Sequence, residues 1–327
     1  MVCPAQRSPS STHVAGLLLM RGVLSLAQVV LLALASTPAH AQTQAETRQR
    51  LLQQVESGRL RDAVALGQEA ISQWPEDPQI RHYLGLAYFK TGDLPRAKEQ
   101  LATARDLNPK DPDTPFDLAL VLLSQQDYVA AADQLEAALK LAPSNPLAHV
   151  LLGRAYLNSN RSVQGISEFK AALRLDPALP LGHYHLGFAY SSLGRNDEAI
   201  AEYKTELQRS GENPEVVYEL GHSLLESGKQ EEAITYLQRA SELSPQNFDV
   251  WYNLGKAQLL ADRATPAETS LRKAIELKPG DPSPHYQLAR ALEKLGKTEE
   301  ARAERARFAE LKKAQPATAG MATSRDQ

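Results

Sequence analysis

Residues 248–281 read FDVWYNLGKAQLLADRATPAETSLRKAIELKPGD, and residues 78–111 read PQIRHYLGLAYFKTGDLPRAKEQLATARDLNPKD. Laid over one another, Leu254 falls on Leu84, Gly255 on Gly85, Ala267 on Ala97, Leu271 on Leu101, Ala274 on Ala104 and Pro279 on Pro109. The same glycine recurs at Gly153, Gly187 and Gly221, so the motif returns in steps of 34 residues without slipping. A period of this length marks repeated supersecondary units, each burying its apolar face against its neighbours.

Extending the period outward gives eight units: 44–77, 78–111, 112–145, 146–179, 180–213, 214–247, 248–281 and 282–315. Each divides into two helices. Asp77, Asp111, Asn145, Asn213, Asn247 and Asp281 end their units, where a short polar side chain accepts the free backbone N–H groups of the next helix. Pro78, Pro112, Pro146, Pro214 and Pro282 follow at the first helical position, where proline sacrifices no hydrogen bond. Prolines at 75, 109, 143, 177, 245 and 279 stop second helices; the fifth unit reads Ser210-Gly211-Glu212-Asn213 instead, and the eighth runs on through Lys312-Lys313. Glycine at the eighth place of a unit lets the second helix approach. Ala97, Ala131, Ala199, Ala233, Ala267 and Ala301, at the twentieth place, are small for the same reason.

This pattern resembles the tetratricopeptide repeat family over the whole array. The resemblance implies an all-α, right-handed superhelical solenoid, non-enzymatic, that binds a protein or peptide partner in a concave groove. The first unit carries Leu51 where glycine is expected and Gln54 where tyrosine is; in the last, Arg305 replaces an apolar residue. Both ends read as polar caps facing water. Glu206 stands where the fifth unit should have a small residue. With no proline following, this predicts either a loosened joint between the fifth and sixth units or a glutamate swung into solvent.

Ahead of the array, Arg21 precedes a predominantly apolar run from Val23 to Ala35, then Ala39-His40-Ala41. This is the layout of a secretory signal peptide over residues 1–41, cut after Ala41, with Met20 as an alternative start. The run is short of the roughly 20 residues that span a bilayer. The expectation is export to the periplasm or the exterior, against the alternative of an uncleaved N-terminal anchor. Residues 316–327 are small and polar and are expected to form a disordered tail.

Composition narrows the function. The single cysteine, Cys3, precedes the expected cut, so no disulfide or thiol chemistry is expected in the processed chain. The net charge of −3 becomes −5 once Arg7 and Arg21 are removed, and a mildly acidic array without a basic run suits nucleic acid poorly. His183 and His185 stand two apart, pointing to different sides of a helix, which is poor ligand spacing. His149, His183 and His285 share the fourth place and read as packing residues. No cofactor, metal or catalytic constellation is expected.

The resemblance places the partner site on the first helices, at the second, fifth, ninth, twelfth and thirteenth places. At the fifth stand His82, Phe116, Tyr184, Tyr218, Tyr252 and Tyr286, the four tyrosines forming a ladder along the C-terminal half. Aromatic faces with a polar tip suit an extended peptide. At the ninth stand Arg154, His222, Lys256 and Arg290, a set of cations able to hold an acidic segment unless Glu215, Glu226 and Glu293 neutralise them. Leu86, Leu120, Phe188, Phe89, Leu123 and Leu157 make the N-terminal half of the groove apolar. The pattern supports an interaction scaffold in an envelope assembly, or alternatively a glycan-binding accessory subunit of a polysaccharide-export or carbohydrate-modifying system.

Overall fold

The structure is a computed structural model and describes residues 39–314, with side chains from residue 43. Most of the expected signal peptide and all of the expected tail lie outside the described residues. The described chain is divided between Asn108 and Pro109 into two compact units. The first holds α1 (Ala39–Glu56), α2 (Leu60–Gln73), α3 (Pro78–Thr91) and α4 (Leu94–Leu107). The second holds α5 (Asp113–Ser124), α6 (Tyr128–Leu141), α7 (Pro146–Asn158), α8 (Ser162–Leu175), α9 (Gly182–Ser192) and α10 (Asn196–Ser210), followed by α11 (Pro214–Glu226), α12 (Gln230–Leu243), α13 (Phe248–Leu260), α14 (Ala264–Leu277), α15 (Pro282–Lys294) and α16 (Thr298–Ala314). Among the described residues there is no strand. Consecutive helices pair as hairpins, two in the first unit and six in the second, so each unit is a helical repeat array of the expected class.

The starts of the helices follow from single side chains. Asp77 accepts the N–H groups of Gln79 and Ile80, Asn213 those of Glu215 and Val216, and Asn247 those of Asp249 and Val250. Glycine matters where the two helices of a hairpin cross. A β-carbon on Gly255 would lie 2.6 Å from Leu271 Cγ and 3.3 Å from its backbone nitrogen. On Gly187 it would lie 2.8 Å from the ring of Tyr203, and on Gly153 2.7 Å from that of Phe169. The large side chain of the second helix thus occupies the place of the missing one on the first.

Two expectations need correction. Leu51 and Gln54 do not face water: both are buried, Leu51 within the core formed with Val55, Ala63 and Ala70. In the first repeat the eighth place holds Leu51 and the twenty-fourth Gly67, the reverse of Gly255 and Leu271, and a β-carbon on Gly67 would meet Leu84 of the next hairpin at 2.8 Å. The polar face of α1 is the other one, carrying Glu46, Gln49, Arg50, Gln53 and Glu56.

Glu206 is the second correction. It is 2% exposed and so does not reach solvent, and its carboxylate is used inside the repeat. The fifth repeat enters α9 through Leu179-Pro180-Leu181, with no capping residue, and Leu181 takes a left-handed conformation at φ 58°. Glu206, reaching across from α10, supplies the missing cap. Its Oε2 accepts the backbone N–H of His183 at 3.1 Å and of Tyr184 at 3.4 Å, while Ser210 Oγ donates to Oε1 at 2.6 Å. A carboxylate at a helix N-terminus also meets the positive end of the helix dipole. The turn that follows is tied by Arg239 of α12, which holds Glu212 through two hydrogen bonds of 2.8 and 2.6 Å.

Candidate interaction face of the first helices

The fourth-place histidines join the two helices of their own hairpins. In each of His149, His183 and His285, Nδ1 lies 2.6 Å from a glutamate oxygen, of Glu168, Glu202 and Glu304 respectively. Their pairing is repeated at one spacing, 19 residues, and Arg81 reaches Gln100 at the same spacing in the first unit. His185 points elsewhere, stacked on Phe169 at 5.6 Å between centroids. Burial first, and Arg154 second, push its pKa down to about 4, so it is neutral at pH 7.

Two of the fifth-place tyrosines of the second unit, Tyr184 and Tyr218, link one repeat to the next, while Tyr252 and Tyr286 pack within their own repeats. Tyr184 donates its hydroxyl to Glu215 Oε1 at 2.8 Å, and Tyr218 receives the side-chain amide of Asn253 at 3.0 Å. Burial raises the pKa of both, Tyr218 to about 12. Tyr252 stacks on Phe248 at 6.0 Å, and Tyr286, 45% exposed, packs against Phe308 at 5.4 Å. Phe116 is partly buried on α5. Phe188, 43% exposed, flanks Tyr184 at 6.3 Å. His82 belongs to the first unit, where it is buried and stacked on Tyr83. Leu86 packs into the core of that unit.

The ninth-place cations are less available than their sequence suggests. Lys256 Nζ is held by Glu226 at 2.9 Å. Burial, more than any neighbouring charge, pushes the pKa of His222 down, and its ring stacks on Tyr218 at 6.0 Å. Arg290 donates to Gln287 of its own helix at 2.9 Å, and Glu293 is engaged by Arg305. Arg154 is exposed and makes no ion pair among the described residues.

Sequence reasoning named Glu215 only as a neutraliser of nearby cations and missed Glu219 and Asp249 beside it. Glu219, at the sixth place of its repeat, lies one turn from Glu215 on α11 and feels the charge of Asp249 at the start of α13. Burial, then the charges of Glu215 and Asp249, push the Glu219 pKa from 4.5 up to about 7. The available signal was the second-place pair Glu215 and Asp249, one repeat apart on the same face. What no pattern shows is that Glu219 turns toward them.

An acid whose pKa is higher folded than unfolded retains its proton longer in the folded state. Its burden on stability is absent below about pH 4.5, grows as pH rises and is complete above about pH 7. Glu219→Gln is therefore expected to stabilise the protein by about 1 kcal/mol at pH 8, a value discounted for water reaching the partly exposed carboxylate, and by nothing at pH 4. Urea unfolding of both proteins at the two pH values measures the difference.

Stacked helical hairpins with a glycine or alanine beneath each crossing define a helical repeat protein with a side-chain face repeated along its first helices. Family profiles described as tetratricopeptide repeat match residues 54–113, 116–180, 182–209, 248–281 and 270–303, and one described as TPR repeat matches residues 221–261. The chain belongs to the tetratricopeptide repeat family. No curated protein matches it in sequence. Among solved structures it is similar to a tetratricopeptide repeat protein from Parabacteroides merdae, at 15% identity and a TM-score of 0.55, over 77% of this chain and 99% of that one. It is similar to the Cut9–Hcn1 hetero-tetramer of the APC/C at 17% identity and a TM-score of 0.53, over 75% of this chain and 48% of that one, and so spans about half that relative's length. YrrB, a TPR protein with an unusual peptide-binding site, aligns at 22% identity and a TM-score of 0.50, over 57% of this chain and 96% of its own. At these identities the likeness is one of fold.

Among the described residues, no helix is long and apolar enough to cross a membrane, and no cluster of three or more His, Cys, Asp or Glu is placed to hold a metal.

Proposed function

We propose that the chain is a non-enzymatic scaffold that holds an extended segment of a partner protein along the first helices of its second unit. The observation that carries this reading is the aromatic row at one repeated position: Tyr184, Tyr218 and Tyr252 partly open to solvent, Tyr286 more so, with Phe188 beside them. Rings held by hydrogen bonds and stacking offer contact area at little cost in side-chain entropy. Phe116 extends the row toward α5, and Arg154 and Arg290 are the cations left to contact a partner's carboxylates or carbonyls. YrrB has a peptide-binding site, and we assign the same use of the fold to this chain. The signal-peptide layout of residues 1–41 supports an exported protein serving an envelope assembly.

The test is a pull-down from envelope extract with the tagged full chain, beside a variant carrying Tyr184→Ala, Tyr218→Ala, Tyr252→Ala and Tyr286→Ala. Circular dichroism checks that the variant retains its helices. Loss of at least nine-tenths of a partner from the folded variant is the expected result, on the order of the losses seen when aromatic anchors are truncated. Equal recovery on both proteins would remove the tyrosine row from the interaction.

A further inference from the structure

Three carboxylates of the second unit stand together without a cation. Glu219 and Asp249 make no ion pair and no side-chain hydrogen bond among the described residues, and Glu215 accepts only the hydroxyl of Tyr184. Elsewhere on the unit's surface many carboxylates are held by cations: Asp197 by Lys229, Glu212 by Arg239, Glu226 by Lys256, and Glu268 by both Arg272 and Lys297. The imidazoles beside the cluster, His185 and His222, are held toward their neutral forms by burial and do not compensate the charge.

A second observation is independent of the acids. Tyr203 of α10 is wholly buried beneath Gly187, and its hydroxyl hydrogen-bonds to nothing. Its ring lies 6.1 Å from that of Tyr184, whose hydroxyl Glu215 accepts at 2.8 Å, so Tyr203 is buried beside the same cluster. A buried hydroxyl without a partner costs about 1–3 kcal/mol relative to a satisfied one. Glu219 carries its own penalty of desolvation and like-charge repulsion. One cationic group with several N–H donors entering between them would relieve both.

We propose that α9, α11 and α13 form a receptor for a basic side chain of the partner segment, a lysine or arginine whose charged head is met by Glu215, Glu219 and Asp249. Its methylene stem lies against the rings of Tyr184 and Tyr218, and the facing aromatic surface adds cation–π attraction. The inference rests on the scaffold reading and specifies its ligand: the partner is recognised here by positive charge, the reverse of the acidic segment that the ninth-place cations suggest. The net charge of −3 on the whole chain favours the same encounter.

Selection from a random-sequence peptide library against the full chain tests this. Enriched peptides are expected to share a lysine or arginine. Their affinity is expected to fall about tenfold or more on a triple variant, Glu215→Gln, Glu219→Gln and Asp249→Asn, and to change less than twofold on a charge-matched control, Glu276→Gln, Glu299→Gln and Glu310→Gln. The triple variant keeps side-chain shape and removes unpaired charge, so it folds at least as well as the parent, which urea unfolding checks. Enriched peptides without a basic residue, or equal losses on the triple variant and the control, overturn the basic-side-chain receptor and leave the scaffold reading standing if binding still needs the four tyrosines. Enrichment no greater on the parent than on the four-tyrosine variant overturns both.

Discussion

Gly255→Val is expected to destabilise the second unit by about 3 kcal/mol. Alanine is better than glycine in a helix by about 1 kcal/mol, so helix propensity alone favours filling this position. Space decides otherwise. The first added carbon already lies 2.6 Å from Leu271 Cγ, and although that side chain can turn, the backbone nitrogen of Leu271 at 3.3 Å cannot retreat without moving α14 from α13. The remaining methyls of valine make the separation larger. Gly280, with no heavy atom within 4 Å of its added β-carbon, is the internal control: Gly280→Ala is expected to be neutral or stabilising by about 0.5 kcal/mol.

Urea midpoints of the two variants measure the contrast. The first hairpin also predicts the rescue. Leu51 stands at the eighth place of the first unit and Gly67 at the twenty-fourth, the places of Gly255 and Leu271 with large and small exchanged. Gly255→Leu combined with Leu271→Gly is accordingly expected to cost less than the two single changes added together, a coupling that a double-mutant cycle isolates.

Glu206→Ala is expected to cost about 2–3 kcal/mol, the combined effect of removing a cap and leaving two helix N–H groups without an acceptor in a buried site. Because each repeat contacts mainly its neighbours, the damage is local before it is global. Hydrogen exchange is therefore the more revealing measurement: the amides of His183 and Tyr184 and the first turn of α9 are expected to lose protection. The amides of α13 and α14 keep theirs at denaturant concentrations where the whole unit remains folded. Glu206→Gln, which retains an acceptor, is expected to lose about half as much. Unchanged protection at His183 and Tyr184 in the alanine variant would mean that the cap contributes nothing in solution.

The contrast between these two sites shows what was legible in the sequence. Gly255, Leu271 and Ala267 announce their roles through spacing, and the resulting helical repeat needs no further information. Glu206 announces only that it is the wrong residue for its place. Reading it as a loosened joint followed from the missing proline and the missing alanine, both local facts, while the compensating fact is a helix start 23 residues earlier. The ninth-place cations were legible as residue types but not as charges, since Lys256 is taken by Glu226 and burial suppresses His222.

The sequence by itself determined the repeat, the hairpins, the caps at Asp77, Asn213 and Asn247 and the close helix crossings, because these depend on residues a few places apart or on one position recurring at one period. Only the tertiary structure decided which polar groups meet across repeats. Tyr184 finds Glu215 31 residues on, and Asn253 finds Tyr218 35 residues back, while the Glu219 carboxylate and the Tyr203 hydroxyl find no hydrogen-bond partner among the described residues. The physical reason is that a hydrophobic period constrains which face of a helix is buried but not the polar pairing along the open face, where burial and neighbouring charge set whether a group is satisfied, neutral or left waiting for a ligand.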